Sequence, residues 1–167
     1  MAAKRTGYLG LGSNVGDSAG HLRAAVELLE AEGIEIDAVS SAYVTEPVGE
    51  ILDQPDFLNA AVRIRTDLEP EELLDACKRV EAERGRQFDL PRHSPRPLDV
   101  DLLLLGDLEL STDRLTLPHP EVTTRRFVLV PLLELDPELQ LPDGTWLVDA
   151  LAVLPEGQRV EKQVSSL

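Results

Sequence analysis

Two aspartates, Asp99 and Asp101, stand two positions apart in the run LDVDLLLLG, among Leu98, Val100, Leu102 and Leu103. Alternate residues of a strand point to one face, so a strand here sets the two carboxylates side by side, roughly 6.5–7 Å apart at their Cα atoms. At a half-buried position such a pair repels unless a cation screens it. Magnesium suits the task. It takes one or two carboxylates together with substrate phosphates and water, and a pair of such ions can clamp both sides of a displacement at phosphorus. Taken alone, the pair fits equally well the acidic outer face of an edge strand. The preceding segment shifts that balance. RGRQFDLPRHSPRP reaches Arg96 three residues before Asp99, and between Arg84 and Arg96 four arginines stand against one acid, Asp89, for a local charge of +3. Carboxylates, a divalent cation and guanidinium groups together describe a polyphosphate site.

Other residues are less specific. RLTLPHPEVTTRRF places His119 between two prolines, with Arg114, Thr116, Arg125 and Arg126 around it. These are donors suited to phosphate and ribose, and a solvent-facing histidine is the plainer alternative. GLGSNVGD looks like a dinucleotide loop, but Val15 stands where G-x-G-x-x-G requires its third glycine. A tight turn is expected instead, with Asn14 available to a ligand or to its own backbone. Cys77 falls on the apolar face of a helix and reads as core. One cysteine and three scattered histidines suggest neither a zinc site nor a Cys/His nucleophile, and the lone thiol suits a reducing compartment.

The elements that must position these residues follow from periodicity. Residues 6–11 read as a strand running into a helix that Asp17 or Ser18 caps, with Leu22, Ala25, Val26 and Leu29 on one face and Gly33 at its end. Residues 34–45 are β-rich. Residues 57–65 alternate, with Leu58, Ala60, Val62 and Ile64 on one face and Asn59, Ala61, Arg63 and Arg65 on the other. Pro70 opens a second helix carrying Leu73, Leu74, Cys77 and Val80 and ending at Gly85. Residues 98–105 form the most apolar strand, which Gly106 and Asp107 turn into another around residues 108–110. Residues 124–135, despite Pro131, and 147–154 close the chain as helices. The order predicts an α+β fold: a ferredoxin-like βαββαβ core with helices packed on one face of an antiparallel-rich sheet, plus an extra hairpin and C-terminal helices.

Residues 1–167 read as a single domain, with 43% apolar residues and no linker or repeat. With 31 acidic and 16 basic side chains the formal charge is −15, which argues against nucleic acid and anionic membranes as partners, since both require a basic face. No apolar run approaches the roughly 20 residues that span a bilayer, and the opening MAAKRTGYLGLG lacks the features of a signal peptide. A cytoplasmic protein is expected.

GLGSNVGD, DQPDFLNAAV, RHSPRPLDVDLLLLG and RLTLPHPEVTTRRFVLVPL, in that order, resemble the 6-hydroxymethyl-7,8-dihydropterin pyrophosphokinase family of folate biosynthesis, over residues 8–144. The resemblance implies pyrophosphate transfer from ATP to the hydroxymethyl group of the pterin, with AMP released and two Mg²⁺ ions bound, by a monomer. Carried over by position, Asp99 and Asp101 match the metal-bridging pair and Asn59 the residue that bonds the pterin edge. Phe57 and Phe127 match the aromatic plates around its ring, and Thr45, Pro47 and Val48 the pocket lining. Arg86 and Arg96 match catalytic arginines over the triphosphate, while Arg114, Thr116, His119 and Arg125 match nucleotide contacts. Glu81 also lies on the family pattern.

The chain departs from that pattern at Phe88 and Asp89, where many relatives are basic, and at His93 and Ser94, which replace an aromatic-glycine pair. These departures point to altered ATP affinity with the reaction unchanged. Two other functions compete: a D-x-D nucleotidyltransferase acting on another acceptor, which would release pyrophosphate, and a non-enzymatic ferredoxin-like module, which would consume no ATP.

Overall fold

A computed structural model describes residues 3–45, 55–85, 97–155 and 159–163. β1 (Arg5–Ser13) leads into α1 (Ser18–Ala31), where Asp17 at the N-cap accepts the Gly20 amide at 3.1 Å. Gly33 ends the turn after α1 with a φ of 87°, the left-handed region that glycine enters without a side-chain penalty. β2 (Glu35–Val39), β3 (Tyr43–Thr45) and β4 (Phe57–Thr66) precede α2 (Pro70–Glu83), which starts on Pro70 and a capping box between Glu69 and Glu72. β5 (Asp99–Leu105), the short β6 (Leu110–Ser111) and β7 (Thr116–Leu117), α3 (Arg126–Leu135), α4 (Leu147–Val153) and β8 (Val160–Lys162) complete the order.

The main sheet runs β5-β1-β4-β3-β8, with β2 also on β4, and its pairings are antiparallel. This is the α+β, ferredoxin-like architecture expected. One of its faces carries Leu9, Leu11, Val62, Ile64 and Val100 against Leu22 and Leu29 of α1 and Leu73, Cys77 and Val80 of α2. The other carries Tyr8, Ala61, Leu103 and Leu104 against Val128, Leu129 and Leu132 of α3 and Leu147 of α4. The core helices α1 and α2 therefore share one face, as expected, and the C-terminal helices α3 and α4, to which the sequence assigns no side, cover the other. β5 carries a bulge: Tyr8 pairs with Leu104 but Leu9 pairs with Leu102, so the adjacent Leu103 and Leu104 both turn to the second face while Leu102 and Leu105 face α1 and α2.

Two boundaries also differ from the pattern. The β-rich residues 34–45 divide into β2 and β3 at Ser40, whose hydroxyl accepts the Ala61 amide at 2.8 Å. The strand expected around residues 108–110 is Leu110–Ser111, and it pairs with β7 in a separate two-stranded hairpin. No helix among the described residues is long and apolar enough to cross a membrane.

Candidate active site

The strand registers align two short rows across the sheet. Gly12 of β1 pairs with Asn59 of β4 and Asp99 of β5, and Gly10 pairs with Ala61 and Asp101. Both aspartates thus share the α3 face, half-buried, and two residues without side chains separate them from β4. At the Cα spacing of alternate strand residues their charges repel by about 2–3 kcal/mol for an effective dielectric of about 20, which a bound cation would reverse. The bare strip is tightly bounded: a Cβ on Gly12 would lie 2.7 Å from Asn59 Oδ1 and 3.8 Å from Cδ1 of Phe57. Asn59 is buried and donates through Nδ2 to Thr45 Oγ1 at 2.6 Å, which leaves its carbonyl oxygen over the strip.

α3 closes this strip from above. Gly10, Gly12, Asn59, Asp99, Asp101 and Phe127 line one cavity, and Arg125 stacks on Phe127 with 5.5 Å from guanidinium carbon to ring centroid while pairing with Glu121 at 2.5 Å. The cavity encloses about 20 Å³, room for a water but not for a bicyclic ring. Phe127 is the aromatic member of its lining. The helix itself is anchored at its far end. Glu134 accepts from the Ser41 amide at 2.8 Å, the Ser41 hydroxyl at 3.2 Å and the Tyr43 hydroxyl. Burial foremost, then Glu134, pushes the Tyr43 phenol well above its ordinary range.

A second groove, of about 270 Å³, adjoins the first. Lys78, Asp101, Arg114, Thr116 and His119 are among its lining residues, so Asp101 borders both cavities. Arg114 is held by Glu71 at 3.1 Å and Asp75 at 2.6 Å, and the first of its neighbours to raise its pKa is Asp75. His119 accepts the Glu121 amide at Nδ1 at 3.1 Å, which places its neutral-state proton on Nε2. Its backbone amide donates to the Leu103 carbonyl at 2.9 Å, fixing the segment against β5.

The structure therefore sorts the sequence candidates. Thr45, Phe57, Asn59 and Phe127 gather around the glycine strip, Arg114 and Thr116 line the second groove with His119, and Arg125 sits with Phe127 rather than among the groove residues. Pro47, Val48, Arg86 and Arg96, with Phe88, Asp89, His93 and Ser94, lie outside the described residues. Cys77 is buried as expected. Its thiol is pushed up to about 12 by burial, then by the charges of Glu81 and Asp101.

Two features escaped the sequence pattern. The first strand continues past the expected residue 11, so Gly12, expected in a turn, is a strand residue like Gly10, a role signalled by their alternation with Leu9 and Leu11; Gly16, at φ 72°, supplies the turn. Lys78, on α2, had no signal beyond its helix. As for metals, the described residues hold no group of three or more His, Cys, Asp and Glu side chains fit to enclose an ion. Two half-buried carboxylates beside a groove instead match a hard cation that completes its shell with phosphate and water.

Comparison with known proteins gives a consistent result. A family model described as 7,8-dihydro-6-hydroxymethylpterin-pyrophosphokinase (HPPK) matches residues 8–137. The chain is similar to the 2-amino-4-hydroxy-6-hydroxymethyldihydropteridine pyrophosphokinase of Pseudomonas aeruginosa, 42% identical over 89% of this chain and 91% of the relative. It is also similar to that of Methylorubrum extorquens, 48% identical over 92% and 98%. Among solved structures, an HPPK-DHPS in complex with substrates matches with a TM-score of 0.70 at 12% identity. That match covers 90% of this chain and 43% of the solved one, so this chain spans less than half the length of that two-part protein.

Proposed function

The chain belongs to the 7,8-dihydro-6-hydroxymethylpterin-pyrophosphokinase family, and we propose that the glycine strip and the groove beside it are where it transfers pyrophosphate from ATP to 6-hydroxymethyl-7,8-dihydropterin. The observation that carries this assignment is the pair of rows placing Asp99 across Gly12 from Asn59 and Asp101 across Gly10 from Ala61, with Asp101 bordering a second groove. The pterin lies over Gly10 and Gly12. Asn59, oriented by Thr45, reads its polar edge, and Phe57 and Phe127 cover its faces. Lining the neighbouring groove, Thr116 and His119 receive the nucleotide, His119 donating from Nε2, and Arg114 joins them by exchanging a carboxylate partner for phosphate. Pro47 and Val48 complete the pterin pocket, Arg86 and Arg96 complete the triphosphate site, and Arg125 steadies Phe127.

Asp99 and Asp101 would hold Mg²⁺, two ions by this reading, whose chemistry when bound is to neutralise the triphosphate. The hydroxymethyl oxygen attacks the β-phosphorus, its proton passing to solvent, as the bond from the β-phosphorus to the bridging oxygen breaks and that oxygen departs with AMP. Alignment and charge neutralisation are the main requirements of such a step, so a dedicated base is not needed. We read the chain as one domain acting as a monomer, and the single buried cysteine suits a reducing cytoplasm. Incubation with ATP, Mg²⁺ and the dihydropterin should yield AMP. Release of pyrophosphate would indicate nucleotidyl transfer, and no ATP consumption would refute an enzymatic role.

A further inference from the structure

Glu81 lies near the C-terminal end of α2 and is 1% exposed. A carboxylate taken so far out of water costs several kcal/mol unless strong partners repay it, so an acid in the helix's packed face requires an explanation. Its partners supply one. Oε2 accepts the backbone amide of Val100 at 2.8 Å, and Oε1 lies 3.4 Å from Lys78 Nζ.

Val100 is the residue between Asp99 and Asp101. β5 ends the order of the main sheet, and among the described residues its only strand partner is β1. Successive residues of an edge strand direct their amides alternately toward the neighbouring strand and away from it. The Val100 amide is directed away, to the place where a further strand would bind, and Glu81 takes that strand's part. The side chain of Val100 meanwhile packs into the α1 and α2 core. The backbone linking the aspartates is thus held on three sides: by β1 in the sheet, by the core beneath, and by a charge-assisted hydrogen bond at its open edge.

We propose that Glu81 is a positioning residue, whose hydrogen bond to Val100 fixes the spacing and direction of the Asp99 and Asp101 carboxylates for a divalent cation. The effect runs through the acceptor oxygen rather than the negative charge. It rests on the reading of the aspartates as the cation-holding pair, and it is specific to that pair, because Asn59 and Thr45 are held by β3 and β4.

Two substitutions separate reach from charge. Glu81→Gln keeps an oxygen at the same distance and removes the charge; Glu81→Asp keeps the charge but withdraws it by about 1.5 Å. Three quantities are measured on each: exchange of the Val100 amide in ligand-free protein by NMR, the Mg²⁺ concentration for half-maximal binding of a non-hydrolysable ATP analogue, and pterin affinity. Glu81→Gln should stay within about threefold of the parent in all three. Glu81→Asp should speed Val100 exchange and raise the Mg²⁺ requirement by about tenfold, the worth of one hydrogen bond, with pterin affinity within about twofold.

Impairment of Glu81→Gln would overturn the proposal, whether or not Glu81→Asp folds, by showing that charge matters. Faster exchange in Glu81→Asp with no change in Mg²⁺ requirement would overturn it as well, as would equal losses of Mg²⁺ and pterin binding. The underlying reading is tested apart from this: if Asp99→Asn leaves the parental Mg²⁺ requirement intact, the aspartates are not the cation pair, whatever Val100 exchange shows.

Discussion

On one side of β1, Leu9 and Leu11 are buried against α1 and α2; on the other, Gly10 and Gly12 leave bare backbone between the two aspartates of β5 and Ala61 and Asn59 of β4. The same strand packs the core with one face and, in the proposed function, receives the ligand on the other. Period-two alternation makes this division possible, because removing side chains from one face leaves the other untouched. The contrast predicts that damage to each face should register in a different measurement.

The largest effect is expected at the carboxylates. Asp99→Ala or Asp101→Ala should lower AMP release by about 10³-fold, while the melting temperature holds or rises because a repulsive pair has been removed. Surviving turnover in either variant would remove the aspartates from the chemistry. Leu11→Ala should do the reverse. It empties a 2% exposed position and should cost about 2–5 kcal/mol in denaturant unfolding, with the pterin KM unchanged.

Gly12→Ala sharpens the comparison, since it places a methyl group on the bare face without disturbing the leucines. The new Cβ would stand 2.7 Å from Asn59 Oδ1, so the amide must turn away from Thr45 and from a ligand above it. Pterin affinity should fall by about 10-fold or more, the worth of one hydrogen bond plus the orientation it fixes. Gly33→Ala is the control. It has open space but a φ of 87°, so it should lose about 1 kcal/mol of stability and no affinity. If both alanines lowered stability alike and left binding alone, the strip would be a folding feature and not a site.

The sequence shows much of this division and misses the rest for definable reasons. Alternation in LNAAVRIR assigns β4's faces, and LDVD sets both aspartates on one side, because both are local patterns with a period that the backbone imposes. The bulge at Leu103 depends on how Tyr8 and Leu9 pair across the sheet, so four successive leucines give no hint of which two turn toward α3. The side that the C-terminal helices cover likewise depends on packing across the sheet and is not a local pattern. The pattern ends the first strand one residue short of Gly12 because glycine is permissive in turns and strands alike. The bond from Glu81 to Val100 joins a side chain to a backbone amide 19 residues away and leaves no trace in residue type.

The smallest expected effect concerns the anchor that holds α3 over the bare face. Burial raises the Glu134 pKa, but hydrogen bonds from Tyr43 and Ser41 outweigh it and leave the carboxyl below its ordinary 4.5. A group with a depressed folded pKa contributes stability above its unfolded pKa and loses it as pH falls through the folded value. The parent should therefore lose this contribution below about pH 4.5, and since Glu134 is largely exposed the amount is about 0.5 kcal/mol. Glu134→Gln should be slightly less stable at neutral pH and converge on the parent in acid, as read from melting temperatures across that range. Equal acid losses in the two proteins would mean that the contacts to Ser41 and Tyr43 do not hold α3, and that its packing on Tyr8, Leu103 and Leu104 suffices to keep Phe127 above the glycines.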